Sequence, residues 1–131
     1  MNRVDARKIP QRQSEIRCFC VGRNEIRRIP EFLAYHKALG VNRFFYTDND
    51  SDDESVDLLL GDEAVHAWST AQAYQESHFG LDWQQALLKQ FGVGHWCLLL
   101  DLDEFFCFSY CDQGRTLKDF VSLLILRITS R

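Results

Sequence analysis

A chain of 131 residues, 46% of them hydrophobic, is long enough for a single domain with a buried core. Its formal net charge of -4 gives no electrostatic basis for binding nucleic acid, and no apolar run approaches the length needed to span a bilayer. The five cysteines (Cys18, Cys20, Cys97, Cys107, Cys111) are odd in number and lack CxxC spacing, which argues against a zinc site; they read as reduced core residues of a cytoplasmic protein.

Residues 1–15 form a charged leader without the apolar core of a secretory signal, and read as a solvated arm. Ile16 to Val21 is a first strand, closed by Gly22-Arg23-Asn24-Glu25. A helix follows with Ile29, Phe32, Leu33, His36 and Leu39 on one face, Pro30 in its first turn and Gly40 as its stop. Asn42 to Thr47 is a second strand, running into Asp48-Asn49-Asp50-Ser51-Asp52-Asp53-Glu54. Ser51 or Asp52 is placed to cap a short helix through Leu60, and Ala64 to Trp68 reads as a weaker third strand. Residues 71–91 read as helix with Gly80 as a break. Trp96 to Leu100 is a strand apolar enough to be buried on both faces, and Leu117 to Leu124 is a last helix. Strand and helix alternate, so the expected fold class is α/β, with a mainly parallel sheet flanked by helices over residues 16–124.

Each strong strand ends in polar residues. Arg23, Asn24 and Glu25 follow the first, Asp48 and Asp50 the second, and Asp101, Asp103 and Glu104 the last. In a parallel sheet, ligand sites lie beyond the carboxyl ends of the strands, so these three sets are expected to ring one cleft. Three carboxylates at one strand end repel one another and lose hydration unless a cation joins them. A hard divalent metal with oxygen ligands answers that need. The plain alternative is an acid-rich turn or helix start.

Val21-Gly22-Arg23-Asn24-Glu25, Pro30 to His36 with Leu39-Gly40-Val41, Tyr46 to Asp53 and Trp96 to Phe106 together carry a resemblance. In that order they resemble the family-2-like glycosyltransferases of the GT-A (Rossmann-like) fold, in the branch whose motifs read RNE, LxEWxxYHxxLG, DNxSxD and DxDEF. The resemblance implies that Asp101 and Asp103 are a DxD pair holding Mn2+ or Mg2+ against the diphosphate of a nucleotide sugar. It places Asn24 and Glu25 near the nucleotide, Asp48 at its base or ribose, and Glu104 behind the metal or at the sugar, with Arg23 and Asp50 among the substrate-binding residues. Gln85, on the helix before the DxD strand, is expected to face the same cleft. The implied activity is transfer of a hexose from an NDP-sugar, UDP-linked, to a saccharide acceptor, with inversion. The family's catalytic base lies after the DxD strand, and this chain runs only about 28 residues past Asp103. A truncated product with an aberrant tail over residues 125–131 is therefore expected, as is self-association through an exposed sheet edge.

Several residues have plainer roles open to them. Asn24, Glu25 and Asp48 suit a helix start or a turn, and His36 suits a satisfied core histidine. Trp68, Trp83 and Trp96 suit the core, and His78 and His95 have no assignable partner. The run from Asp48 resembles a calcium loop, but Asp53 stands where glycine is needed and Leu59 where a glutamate is needed. Two alternatives from other classes are a donor-binding module without turnover and a HAD-like phosphatase. The phosphatase motif wants a small residue where Phe105 stands, and it belongs on a first strand.

Overall fold

The elements take shape in a computed structural model that describes residues 1–108, 114 and 116–119. In chain order they are β1 (Asn2–Arg3), β2 (Ile16–Gly22), α1 (Ile29–Leu39), β3 (Arg43–Asp48), α2 (Ser55–Leu60), β4 (Val65–Ser69), a 3-10 turn (Tyr74–Ser77), α3 (Leu81–Phe91) and β5 (Trp96–Asp101). The sheet order is β1-β4-β3-β2-β5; β4, β3, β2 and β5 run parallel, and β1 is antiparallel to β4. The α/β class and the mainly parallel sheet are as expected.

Residues alternate between two sheet faces, and each face builds its own core. On one, Cys18, Cys20, Phe44, Tyr46 and Val65 pack against Ile29, Phe32, Leu33 and Leu39 of α1 and Leu59 of α2. On the other, Phe19, Phe45 and Trp68 pack against Leu87 of α3, with the Phe19 and Phe45 rings stacked at 4.9 Å. Helices α1 and α2 therefore cover one face and α3 the other. The chain steps from β2 through β3 to β4, then crosses back to lay β5 on the far side of β2.

The leader departs from the solvated arm expected of it. Asn2 and Arg3 pair with Ser69 and Trp68 of β4, and the buried Asp5 carboxylate accepts hydrogen bonds from the N–H groups of Ala67 (2.8 Å) and Arg7 (3.1 Å). Asp5 also pairs with Arg3 at 3.2 Å and with His66 at 3.1 Å, while Arg7 donates to the carbonyls of Val65 (2.7 Å) and Leu60. Buried Glu15 is shared by Arg17 and Arg43, each at 3.0 Å. Charges that look hydrophilic one by one are tolerated inside when they satisfy one another.

Smaller differences have local causes. Helix α2 begins at Ser55 rather than after Ser51 or Asp52, because Asp53 accepts the Ser55 N–H at 2.9 Å. Residues 71–80 form a connection with the 3-10 turn instead of helix, and Gly80, in the left-handed region at φ 85, starts α3. Strand β5 is a sheet edge in the described fold, so it is half-exposed instead of buried on both faces; Trp96 is 45% exposed, unlike buried Trp68 and Trp83. Cys18, Cys20 and Cys97 are free thiols, but Cys107 is disulfide-bonded, which removes the support the cysteines lent to a reducing compartment. Of the helix expected over Leu117–Leu124, residues 117–119 are helical, behind a reciprocal Thr116–Asp119 cap, and the rest lies outside the described residues. The aberrant tail expected over residues 125–131 lies outside them too.

Candidate functional site

Strand β2 has β3 on one side and, on the other, β5, which the chain reaches only after crossing back from β4, so the order of the strands reverses at β2. That reversal opens a crevice beyond their carboxyl ends. A cavity of about 370 Å3 lies there. Val21, Gly22, Arg23 and Glu25 wall it from β2, and Asp101, Leu102 and Asp103 wall it from β5; Arg28, Asn49 and Tyr74 complete the lining.

The acid turn owes its form to strand alternation. Asp101 ends β5 opposite Val21, and Leu102 points the other way into the core, 2% exposed. Anchoring Leu102 leaves the carboxylates on either side of it at the cavity. The turn is closed by Glu104, whose N–H donates to the Asp101 carbonyl at 3.0 Å and whose carboxylate accepts the Asp101 N–H at 2.8 Å. The Asp101 carboxyl is pushed above its usual range by burial, and further by the Glu104 and Asp103 charges. The Tyr74 phenol is also pushed up, by burial and then by Asp101, Asp103 and Glu104. Negative charge at this wall is thus crowded.

Among the described residues, no group of three or more His, Cys, Asp or Glu side chains is gathered closely enough to hold a metal by itself. Two adjacent carboxylates on an open wall do fit a cation that completes its shell with phosphate oxygens and water, the habit of Mg2+ at nucleotide sites. Arg23 and Arg28 line the same cavity, with Arg28 held 3.5 Å from Glu25. The arrangement suits an anionic ligand bridged to the acids by a divalent cation.

Four of the residues singled out in the sequence line the cavity: Arg23, Glu25, Asp101 and Asp103. The others do not. Asn24, at φ 52, is a loop bridge: its N–H donates to Ser51 Oγ at 2.8 Å, and its Oδ1 accepts from the N–H of Asp52 at 2.9 Å. Asp48 is 2% exposed, and both its oxygens are engaged by Ser51, at 3.0 Å from N and 2.6 Å from Oγ. Asp50 is exposed in the same loop, so of the second strand's acids none reaches the cavity wall, and Asn49 stands there instead. Glu104 is committed to the turn. Gln85 is exposed on α3; the inward residue is Gln84, one step and about 100° away on the helix, whose amide donates to the carbonyls of Phe19 (2.9 Å) and Leu100 (3.3 Å).

His36 is the satisfied core histidine that its helix position suggested. It is fully buried, with Nδ1 2.9 Å from the Phe32 carbonyl and Nε2 accepting the Phe106 N–H at 3.2 Å. His78 and His95, without partners in the sequence, lie 2.9 Å from Asp82 Oδ2 and 3.1 Å from the Glu15 carbonyl.

Arg28, Asn49 and Tyr74 line the cavity without standing out in the sequence. Arg28 carried a faint signal, three residues after Glu25 at a helix entry. Asn49 stands inside the acid run, and its side-chain nitrogen donates to the carbonyls of Thr70 (3.2 Å) and Gln72 (3.0 Å), tying the end of β3 to the segment that brings in Tyr74. Tyr74 had no signal: it reaches the cavity because Gly80 lets its ring and Val21 approach, a Cβ there lying 3.2–3.3 Å from both.

Three proteins of known type are similar to this chain. A glycosyltransferase family 92 protein of Ricinus communis is 34% identical over 79% of the chain, and one of Arabidopsis thaliana is 30% identical over 82%. One of Oryza sativa subsp. japonica is 28% identical over 83%. The chain spans about a fifth of the length of each, 18–19%. The resemblance to glycosyltransferases has this support at the coarse level, although the relatives are named for family 92 and not for the family-2-like group. No family model and no solved structure matches the chain.

Proposed function

We propose that the chain is the donor-binding part of a metal-dependent glycosyltransferase, moving a hexose from a UDP-linked sugar to a saccharide acceptor with inversion. The observation that carries this is the placement of Asp101 and Asp103 together on the wall of the switch-point cavity. The similarity to proteins named as glycosyltransferases supports the same class. In this reading Asp101 and Asp103 hold Mn2+ or Mg2+, which when bound supplies Lewis-acid relief of the charge that grows on the leaving diphosphate. Arg23 and Arg28 offer fixed positive charge to the same diphosphate. Tyr74, 39% exposed and packed on Phe79 and Trp83, presents a ring to the nucleoside end of the cavity. Leu102 and Glu104 hold the two acids in place. No residue is assigned as the base that takes the acceptor's proton.

Incubation with radiolabelled UDP-hexoses and a panel of oligosaccharide acceptors, with Mn2+, tests the activity. Labelled product that disappears in Asp103→Asn supports the proposal. Donor binding without any transfer or donor hydrolysis would reduce the chain to a binding module, and release of phosphate from a generic phosphate ester would favour a phosphatase.

A further inference from the structure

We propose that Tyr35 and His36, adjacent on α1, are positioning residues that clamp the acid turn by gripping both backbone groups of Phe106. The inference rests on Asp101 and Asp103 acting as the metal pair. The turn leaves the sheet at Asp101, and Leu102 anchors its start in the core. A second anchor stands four residues later. Tyr35 donates its hydroxyl to the Phe106 carbonyl at 2.8 Å, and His36 Nε2 accepts the Phe106 N–H at 3.2 Å.

The His36 ring is itself fixed. An acceptor role for Nε2 leaves the proton on Nδ1, which donates to the Phe32 carbonyl at 2.9 Å. Burial also pushes its pKa down, which keeps the ring neutral and able to accept. Phe105 packs between these side chains and their neighbour: its ring lies 5.0 Å from Tyr35, 5.8 Å from His36 and 6.3 Å from Phe32. Asp103 therefore sits in a short span pinned at Leu102 on one side and at Phe105–Phe106 on the other. A backbone held at both ends holds its carboxylates at a fixed separation, which a metal site requires.

The test uses the 131-residue chain and three variants. Tyr35→Phe deletes the hydroxyl and keeps the ring; His36→Leu deletes the acceptor; His36→Gln retains an amide oxygen near the Nε2 position. Two quantities are measured: manganese affinity, and exchange of the Phe106 amide by NMR. Manganese affinity is expected to fall about tenfold in His36→Leu and roughly fivefold in Tyr35→Phe, with His36→Gln recovering most of the loss. Exchange of the Phe106 amide is expected to quicken in His36→Leu and to return toward the parent value in His36→Gln. Unchanged affinity in both Tyr35→Phe and His36→Leu overturns the inference, as does a His36→Gln variant no better than His36→Leu. Failure of the parent chain to bind manganese overturns the metal reading of Asp101 and Asp103; the clamp is then judged by exchange alone, and is overturned if Phe106 exchanges equally in all four proteins.

Discussion

Asp101 and Glu104 exchange two hydrogen bonds across one turn, the Glu104 N–H to the Asp101 carbonyl at 3.0 Å and the Asp101 N–H to the Glu104 carboxylate at 2.8 Å. Glu104 thus shapes the acid turn and also adds charge to it. Glu104→Gln keeps an acceptor for the Asp101 N–H while removing the charge, so the turn should persist and Mn2+ should bind only a few-fold more weakly. Glu104→Ala removes the acceptor as well, and its loss of Mn2+ affinity should be about fivefold larger than that of Glu104→Gln. Equal affinities for the two variants, measured by calorimetry, would contradict this division of roles.

The Asp101 carboxyl is raised by burial, then by Glu104 and Asp103, so the folded chain holds that proton more tightly than the unfolded chain does. Ionised Asp101 therefore opposes folding, and the penalty grows as pH rises from about 4 through the folded pKa. Without metal, Asp101→Asn should raise the melting temperature at pH 7 and lose that advantage below about pH 4. The side chain is partly exposed, which limits the effect to less than about 1 kcal/mol. Mn2+ should raise the melting temperature of the parent chain and not that of Asp101→Asn.

What was legible in the sequence was what local pattern controls. The apolar runs at Ile16 and Asn42 gave strands, the spacing from Ile29 to Leu39 gave a helix, and the acids after Leu100 gave a cavity wall. What was not legible depends on distant partners. Asp5 meets His66 and Glu15 meets Arg43 across long stretches of chain, so a docked leader looked solvated. Gln85 suits the cleft by its place on the helix, but the inward position falls to Gln84, because one residue of phase turns a side chain by about 100°. Asp48 suits a ligand contact by its place at a strand end, while its commitment to Ser51 is a matter of loop geometry.

Acid should destabilise the fold in two stages. His36 and His66 are pushed down, chiefly by burial, so they stay neutral in the fold and charge on unfolding; stability should begin to fall as pH drops below about 6.5. Burial raises the Asp5 pKa, but hydrogen bonds from Arg3, Ala67, His66 and Arg7 outweigh that and hold it at about 2. Its contribution, roughly 2 kcal/mol, is present above about pH 4 and is lost as pH falls through about 2. Urea unfolding of Asp5→Asn across pH should show the loss already at pH 7 and a shallower acid limb than the parent. Parallel curves would contradict the assignment.

Gly22 leaves no room beside Tyr46. A Cβ built on Gly22 would stand 2.1 Å from Tyr46 Oη, and that buried hydroxyl has no hydrogen-bond partner among the described residues. Gly22→Ala should cost about 1–3 kcal/mol by overpacking. Tyr46→Phe, which removes an unpaired polar group, should be neutral or stabilising by up to about 1 kcal/mol. In the Tyr46→Phe background Gly22→Ala should cost less, and additive urea midpoints would show that the two groups do not press on one another.

The central claim is that Asp101 and Asp103 join a divalent metal to a nucleotide diphosphate in the β2–β5 cavity. Calorimetric titration of UDP into the 131-residue chain, with and without Mn2+, addresses it directly. The account predicts binding that requires the metal and is lost in both Asp101→Asn and Asp103→Asn while their folds persist. UDP binding of equal strength without Mn2+, or undiminished in both variants, would contradict it.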